Sequence, residues 1–327
     1  MRNRAIRTAI AALAAALVSG AGAAAQPSQG PPVVAIVLTD GKLLPFAVAS
    51  GSDWQLLPWP RHEFSENQAA VPVPAAIPRE WFAPLSSLPS SWRLQTIGGK
   101  PTAIHVANPA HWQVATFDAI GFATDYVDPD PDQRSSDFNA GIAVAGDVDT
   151  LPVDELDESS PQWAHLVARH AKAFLGADRA DAKRRGVHLK GRTTVTVTKE
   201  LRAGDVSLFN VALDPKHSYE YFEVTVTRPV GSGPQGPACA SPTAEYYGFI
   251  ERRGRTETVK WLSTTTGCDP AEPTLEIVGA LRAATGVRLV VEYSGGDRQS
   301  FAVVNPGAPE SQIRRVARAG DPPRSGK

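Results

Sequence analysis

The chain is predicted to fold mainly as antiparallel β-structure, with short-stranded sheets in two lobes and one amphipathic helix between them. Three observations predict this. Short apolar or alternating runs bounded by Gly, Asp and Pro recur along both halves. Seven prolines between Pro58 and Pro89 break any long element there, because Pro lacks the N–H that a helix interior or ladder needs. Only one stretch, residues 159–186, carries an apolar stripe at helical spacing. An α+β arrangement is the alternative. A propeller would need a repeat of about 40 residues, and the sequence holds no such self-similar motif.

The first 25 residues read as an export signal. Arg2, Arg4 and Arg7 make a basic start, Thr8 to Val18 is an apolar run, and Ala23-Ala24-Ala25 before Gln26 fits small-residue cleavage. The apolar run is too short for a resident span. Its removal takes three arginines and no acid from 33 basic and 34 acidic residues, leaving a net charge of −4. That balance argues against nucleic-acid binding, which calls for a basic excess. No later apolar run reaches spanning length, so the mature chain is predicted to carry no transmembrane segment and to work in the periplasm or outside the cell.

Residues 26–32 are a polar, Pro-rich start, and residues 33–158 form the expected N-terminal β-rich lobe. Val33 to Leu38, the Asp40-Gly41 turn and Leu43 to Ala49 make a hairpin pattern, with Trp54 and Trp59 placed to cover it. Gly98-Gly99 separates two further strand runs that begin near Ser91 and Pro101. An acidic middle follows. Asp128, Asp130 and Asp132 have the opening spacing of a calcium loop, yet position 6 is Gln133 instead of Gly and position 12 is Asn139 instead of Glu. The expectation is a solvated acidic loop, with these three aspartates as an incomplete calcium candidate.

Ser160 is predicted to cap the helix and Pro161 to open it; Trp163, Leu166, Val167, Ala171, Phe174 and Leu175 give the apolar stripe. The second lobe, residues 187–304, reads as a meander, with turns at Asp214-Pro215, Gly254 and Gly295-Gly296-Asp297. Thr274 to Thr285 suits either a strand or a short helix. Residues 305–327, with four prolines, read as a disordered tail.

Both cysteines flank one hairpin. Tyr246 to Ile250 and Val259 to Leu262 are its strand cores, and Cys239 and Cys268 lie just outside it. An exported chain makes this a structural disulfide, of about 3–4 kcal/mol in the chain-entropy model.

The search for chemistry finds no catalytic motif. Gly231 to Gly236 matches G-x-G-x-x-G, but no helix follows and Pro234 interrupts the loop. His165 and His170 lie about 140° apart around the helix, too far to clamp one ion. His105 and His111 flank a loop without further ligands. Glu220 and Glu223 fall on opposite faces of one strand and are expected to be exposed. No cofactor is predicted. The functional expectation is a non-catalytic binding or structural protein of the bacterial cell envelope, with an envelope ligand or protein as partner. The alternative is an exported hydrolase of a sugar or peptide polymer, whose carboxylates would meet across a deep cleft.

Overall fold

The computed structural model describes residues 30–59, 79–82, 84, 87–114, 117–129, 139–156, 159–161, 163–165, 167–169, 176, 206–227, 243–266, 274–295, 298–308, 310–313, 316–317 and 319. The signal segment, Asp130, Asp132, Gly231 to Gly236, Cys239 and Cys268 lie outside the described residues.

Seven strands of the N-terminal half form one sheet: β1 (Val33–Leu38), β2 (Lys42–Ser50), β3 (Asp53–Leu56), β4 (Ser91–Gln95), β5 (Thr102–Val114), β6 (Phe117–Thr124) and β7 (Asn139–Ala145). Their order is β1-β7-β4-β5-β6-β2-β3, and β1 also pairs with β2. That extra pairing closes β1, β7, β4, β5, β6 and β2 into a six-stranded antiparallel barrel, with β3 appended to β2. The architecture is therefore mainly β, as expected, and contains a closed barrel rather than a propeller.

Two open antiparallel sheets complete the β-structure. β10 (Val206–Asp214), β11 (His217–Thr227), β12 (Thr243–Arg253) and β13 (Thr256–Thr266) run in the order β13-β12-β11-β10-β9, where β9 is Asp154–Glu155. β14 (Thr274–Ala283), β15 (Gly286–Gly295) and β16 (Arg298–Val304) form β16-β15-β14-β8, where β8 is Asp149–Leu151. Both β8 and β9 precede the helix, so the segment ending at 158 supplies an edge strand to each open sheet. The ambiguous stretch after Thr274 is a strand. Its β-branched and apolar content fits a surface buried on both sides.

Side-chain alternation stacks these sheets in layers. Val33, Ala35 and Val37 of β1 point into the barrel with Trp92, Leu94, Ile104, Ile120 and Phe122. Val34, Ile36 and Leu38 point outward and pack with Val278, Leu281, Val290 and Phe301 of the four-stranded sheet. The opposite face of that sheet, through Ile277, Leu289, Val291 and Val304, meets Val211, Tyr219, Tyr221 and Phe249 of the five-stranded sheet. The four-stranded sheet is thus the middle layer. Every residue of β1 is buried, and each fully buried Val or Ile side chain contributes about 1.5–3 kcal/mol relative to exposure.

The helix expected between the lobes is present at its described positions 161, 163–165, 167–169 and 176. The Trp163 N–H donates to Ser160 Oγ at 3.1 Å, the predicted cap, and Trp163 and Val167 are buried. At the other end of the chain, the expected disordered tail is corrected as far as Ala319. Ala308 and Ile313 join the core between the open sheets, and Phe301 and Ala319 exchange two backbone hydrogen bonds of 2.8 Å. Apolar residues spaced among the charges find a core there, which outweighs the tail's polar composition.

Candidate functional site

A cleft of about 760 Å³ opens between one end of the barrel and the middle sheet. Three close approaches build its barrel wall. Gly41, at φ 81°, makes the β1–β2 turn, where an added Cβ would stand 2.7 Å from the Tyr126 carbonyl oxygen. Thr124 Oγ1 donates to the Gly41 carbonyl at 2.6 Å, so the chain leaving β6 carries Tyr126 and Asp128 along the cleft. Gly141 lets β7 approach β4, since a Cβ there would stand 2.3 Å from the Gln95 carbonyl oxygen. The β4–β5 turn, at Gly98 with φ 67°, adds Thr96, Ile97 and Lys100; its Gly98 N–H donates to the Val153 carbonyl at 2.8 Å.

The sheet wall follows from alternation. Glu276 and Val278 of β14, Glu292 of β15 and Gln299 of β16 all line the cleft. Glu276 stands directly opposite Glu292 in the β14–β15 register. Directly opposed side chains have Cβ atoms about 5 Å apart, and like charges in that relation destabilise a sheet. Gln299 Nε2 donates to Glu292 Oε1, and Glu292 is buried. Glu155 of β9 adds a carboxylate at the rim. Among the described residues the cleft is thus lined by four carboxylates from four elements, Asp128, Glu155, Glu276 and Glu292, together with Lys100.

Asp128 corrects the sequence expectation: it is 4% exposed, not part of a solvated loop. The turn at Gly41 explains this, because it draws the chain beyond β6 against the barrel end. Asp130 and Asp132, the other two aspartates of that spacing, lie outside the described residues. Among the described residues, no three His, Cys, Asp or Glu side chains come together to hold a metal ion.

Glu220 is a second correction. It is completely buried at the centre of the five-stranded sheet, where exposure was expected, because the helix covers that face. Arg252 reaches it at 3.2 Å and also contacts Glu257 at 3.1 Å, while Arg169 of the helix contacts Glu257 at 3.0 Å. Burial raises the Glu220 pKa; the Arg252 charge opposes that rise, the Glu257 charge adds to it and the Arg169 charge opposes it.

No family model, curated protein or solved structure matches the chain. Its chemistry has to be read from its own side chains.

Two other polar groupings form on the surface. His105 Nδ1 lies 2.9 Å from Asp125, whose other oxygen accepts the His105 backbone N–H at 2.7 Å, and among the described residues no group of three metal-ligating side chains forms. Ser91 is directly opposite His105 on β4, which gives the residue types of a catalytic triad. The His and Asp side chains are 63% and 56% exposed on the outer barrel wall, without the enclosing pocket such chemistry requires. On the inner face of the five-stranded sheet, Glu251 Oε1 accepts from Tyr219 Oη at 3.0 Å and Arg253 Nε at 2.7 Å, with His217 Nε2 at 3.1 Å. Burial pushes the Glu251 pKa up, but the hydrogen bonds from Arg253, Tyr219 and His217 bring it below the ordinary value.

Sequence reasoning missed Glu155, Glu276 and Glu292. The signal was there for two of them: Glu276 and Glu292 interrupt apolar runs, LEIVGAL and VRLVVEY, where a charge has to be explained.

Proposed function

We propose that this is an exported, non-catalytic binding protein of the bacterial cell envelope that holds a small polar cation in the cleft between barrel and middle sheet. The observation that carries this reading is the direct cross-strand opposition of Glu276 and Glu292 inside a cleft of small-molecule size. Glu276 is exposed and Glu292 is buried beside it, so a cation entering from solvent meets two like charges at once, and binding it relieves their mutual repulsion. Tyr126 and Ile97 add apolar surface to the walls, which suits an organic ammonium group with a hydrocarbon portion.

Thermal shift and titration calorimetry with a triamine such as spermidine, a neutral disaccharide and calcium test this reading. The amine at a hundred times its Kd should stabilise the protein by about 2.7 kcal/mol, raising the melting temperature by a few degrees. Glu276→Gln should weaken its binding by at least about tenfold, since truncating a charged partner costs 1.4 kcal/mol or more. Binding of the disaccharide alone, or of nothing, overturns the cation reading.

A second reading rests on the same opposition. Glycosidases work through two carboxyl groups set around one bond, and a cleft that Glu276 and Glu292 both line also suits an exported hydrolase. Release of reducing sugar from envelope polysaccharide, abolished by either Glu276→Gln or Glu292→Gln, would establish it over simple binding.

Export carries its own prediction. Cys239 and Cys268 follow in the sequence just beyond Ala244 and Thr266, which pair at the end of the β12–β13 ladder. Thiol titration of the mature protein should find no free cysteine; two free thiols would remove the oxidising compartment from the reading.

A further inference from the structure

The four charges beneath the helix have no part in the cleft. Glu220 (β11), Arg252 (β12), Glu257 (β13) and Arg169 of the helix form an alternating chain that runs from the buried centre of the five-stranded sheet to the surface. Among the described residues Arg252, Glu257 and Arg169 are the charged partners of Glu220; its neighbour on β10 is the neutral Asn210, and beyond that stands the exposed Asp154 of β9. Phe222 and Ile250, on the same face as Glu220, are fully buried, as are Trp163 and Val167 to within 7% on the helix. The helix therefore closes an apolar face whose one fully buried ionisable group is Glu220.

We propose that the helix is a proton-sensitive cover over the outer face of the five-stranded sheet, seated by the Glu220–Arg252–Glu257–Arg169 chain. The physical basis is desolvation. With the cover closed, ionised Glu220 has the single guanidinium of Arg252 at hydrogen-bonding distance, and burial disfavours its charge. Opening the cover hydrates that charge, so ionisation favours the open form and protonation the closed one. The sign follows from linkage. A carboxyl held above its ordinary value of 4.5 contributes stability that is complete below that value and is lost as pH rises through the folded value. Acidification thus tightens this contact, against the usual trend for paired carboxylates.

Hydrogen exchange of the full mature chain tests the device, with protection factors corrected for intrinsic rates from about pH 4.5 to pH 8. Protection of peptides covering 161–169 should fall several-fold as pH rises, while the β1 and β7 peptides stay constant. Glu220→Gln should hold the helix closed across that range and remove the slope. Arg169→Gln, which leaves the sheet intact, should lower helix protection at every pH. A flat helix profile in the wild-type protein overturns the proposal on its own. So does an unchanged slope in Glu220→Gln, or a slope shared equally by the barrel, which would reflect global unfolding.

Discussion

The barrel and the five-stranded sheet bury their cores by different means. The barrel closes its hydrogen bonding through the second pairing of β1, and Val33, Trp92, Leu94 and Phe122 pack in its interior. The five-stranded sheet stays open and carries a buried or half-buried carboxylate on each face, Glu220 outward and Glu251 inward. Closure removes edges, so the barrel needs no charge to manage them. The open sheet must cover two faces with separate elements, and charged groups set where those elements sit. Inside the barrel, cohesion comes from apolar packing; in the open sheet it also runs through buried ionisable groups.

The largest expected effect probes the apolar side of this contrast. Trp92 is 1% exposed at the heart of the barrel, and its Nε1 donates to the Pro89 carbonyl at 2.8 Å. Trp92→Ala should cost about 3–5 kcal/mol in urea unfolding, with the same loss at pH 5 and pH 8. A pH-dependent loss would break the comparison.

A tight contact joins barrel and middle sheet, and it sets the next prediction. A Cβ on Gly279 would stand 2.4 Å from Ile142 Cδ1, far inside van der Waals contact. Gly279→Ala should destabilise by about 1–3 kcal/mol through overpacking, and Ile142→Val in the same chain should recover part of that loss. Additive losses in the double-mutant cycle would mean that the layers adjust without this contact.

Much of the fold was legible because its signals are local. Asp40-Gly41, Gly98 and Gly254 all make the predicted turns at positive φ, and Ser160 caps the helix as read. Barrel closure was not legible, because alternation fixes which face a residue takes but not which distant strand it meets. β1 illustrates the limit: its uninterrupted VVAIVL says only that both faces are buried, and not that one face meets Trp92 and Ile120 while the other meets Val278 and Val290. The cleft was hidden for the same reason. Glu276 and Glu292 are sixteen positions apart in sequence and become opposed only when the β14–β15 register is known. Asp128 and Glu220 were misread as exposed because solvent exposure was inferred from charge, without the turn at Gly41 or the helix that covers the sheet.

The two faces of the five-stranded sheet make the pH contrast sharper. Glu251, held below its ordinary value by three donors, contributes stability that is present above 4.5 and is lost as pH falls through the folded value. Glu220 has the opposite sign. Glu251→Gln should therefore cost about 1–2 kcal/mol at neutral pH, in the range for hydrogen bonds to a charged group, and the cost should shrink in acid. Glu220→Gln should be neutral or stabilising at neutral pH and flatten the opposite limb. Melting curves of both variants from acid to neutral pH check this pair, and parallel profiles would mean that the two carboxylates do not differ as their partners indicate.

The smallest effect belongs to the barrel's outer wall. Asp125 accepts the His105 backbone N–H and the His105 ring, and these two hydrogen bonds, the backbone one first, lower its pKa below 3.8. Its contribution is present above that value and is lost as pH falls through the folded one. Both side chains are more than half exposed, so water and salt screen the pair, and Asp125→Asn should cost less than about 1 kcal/mol at neutral pH. The bond from the His105 N–H, with the return bond from the Asp125 N–H to the His105 carbonyl at 3.2 Å, ties the end of β6 to β5 one residue before Tyr126, where the chain turns toward the cleft. A loss well above that figure, with amine binding weakened in parallel, would therefore mark Asp125 as a strut that holds the cleft wall in place.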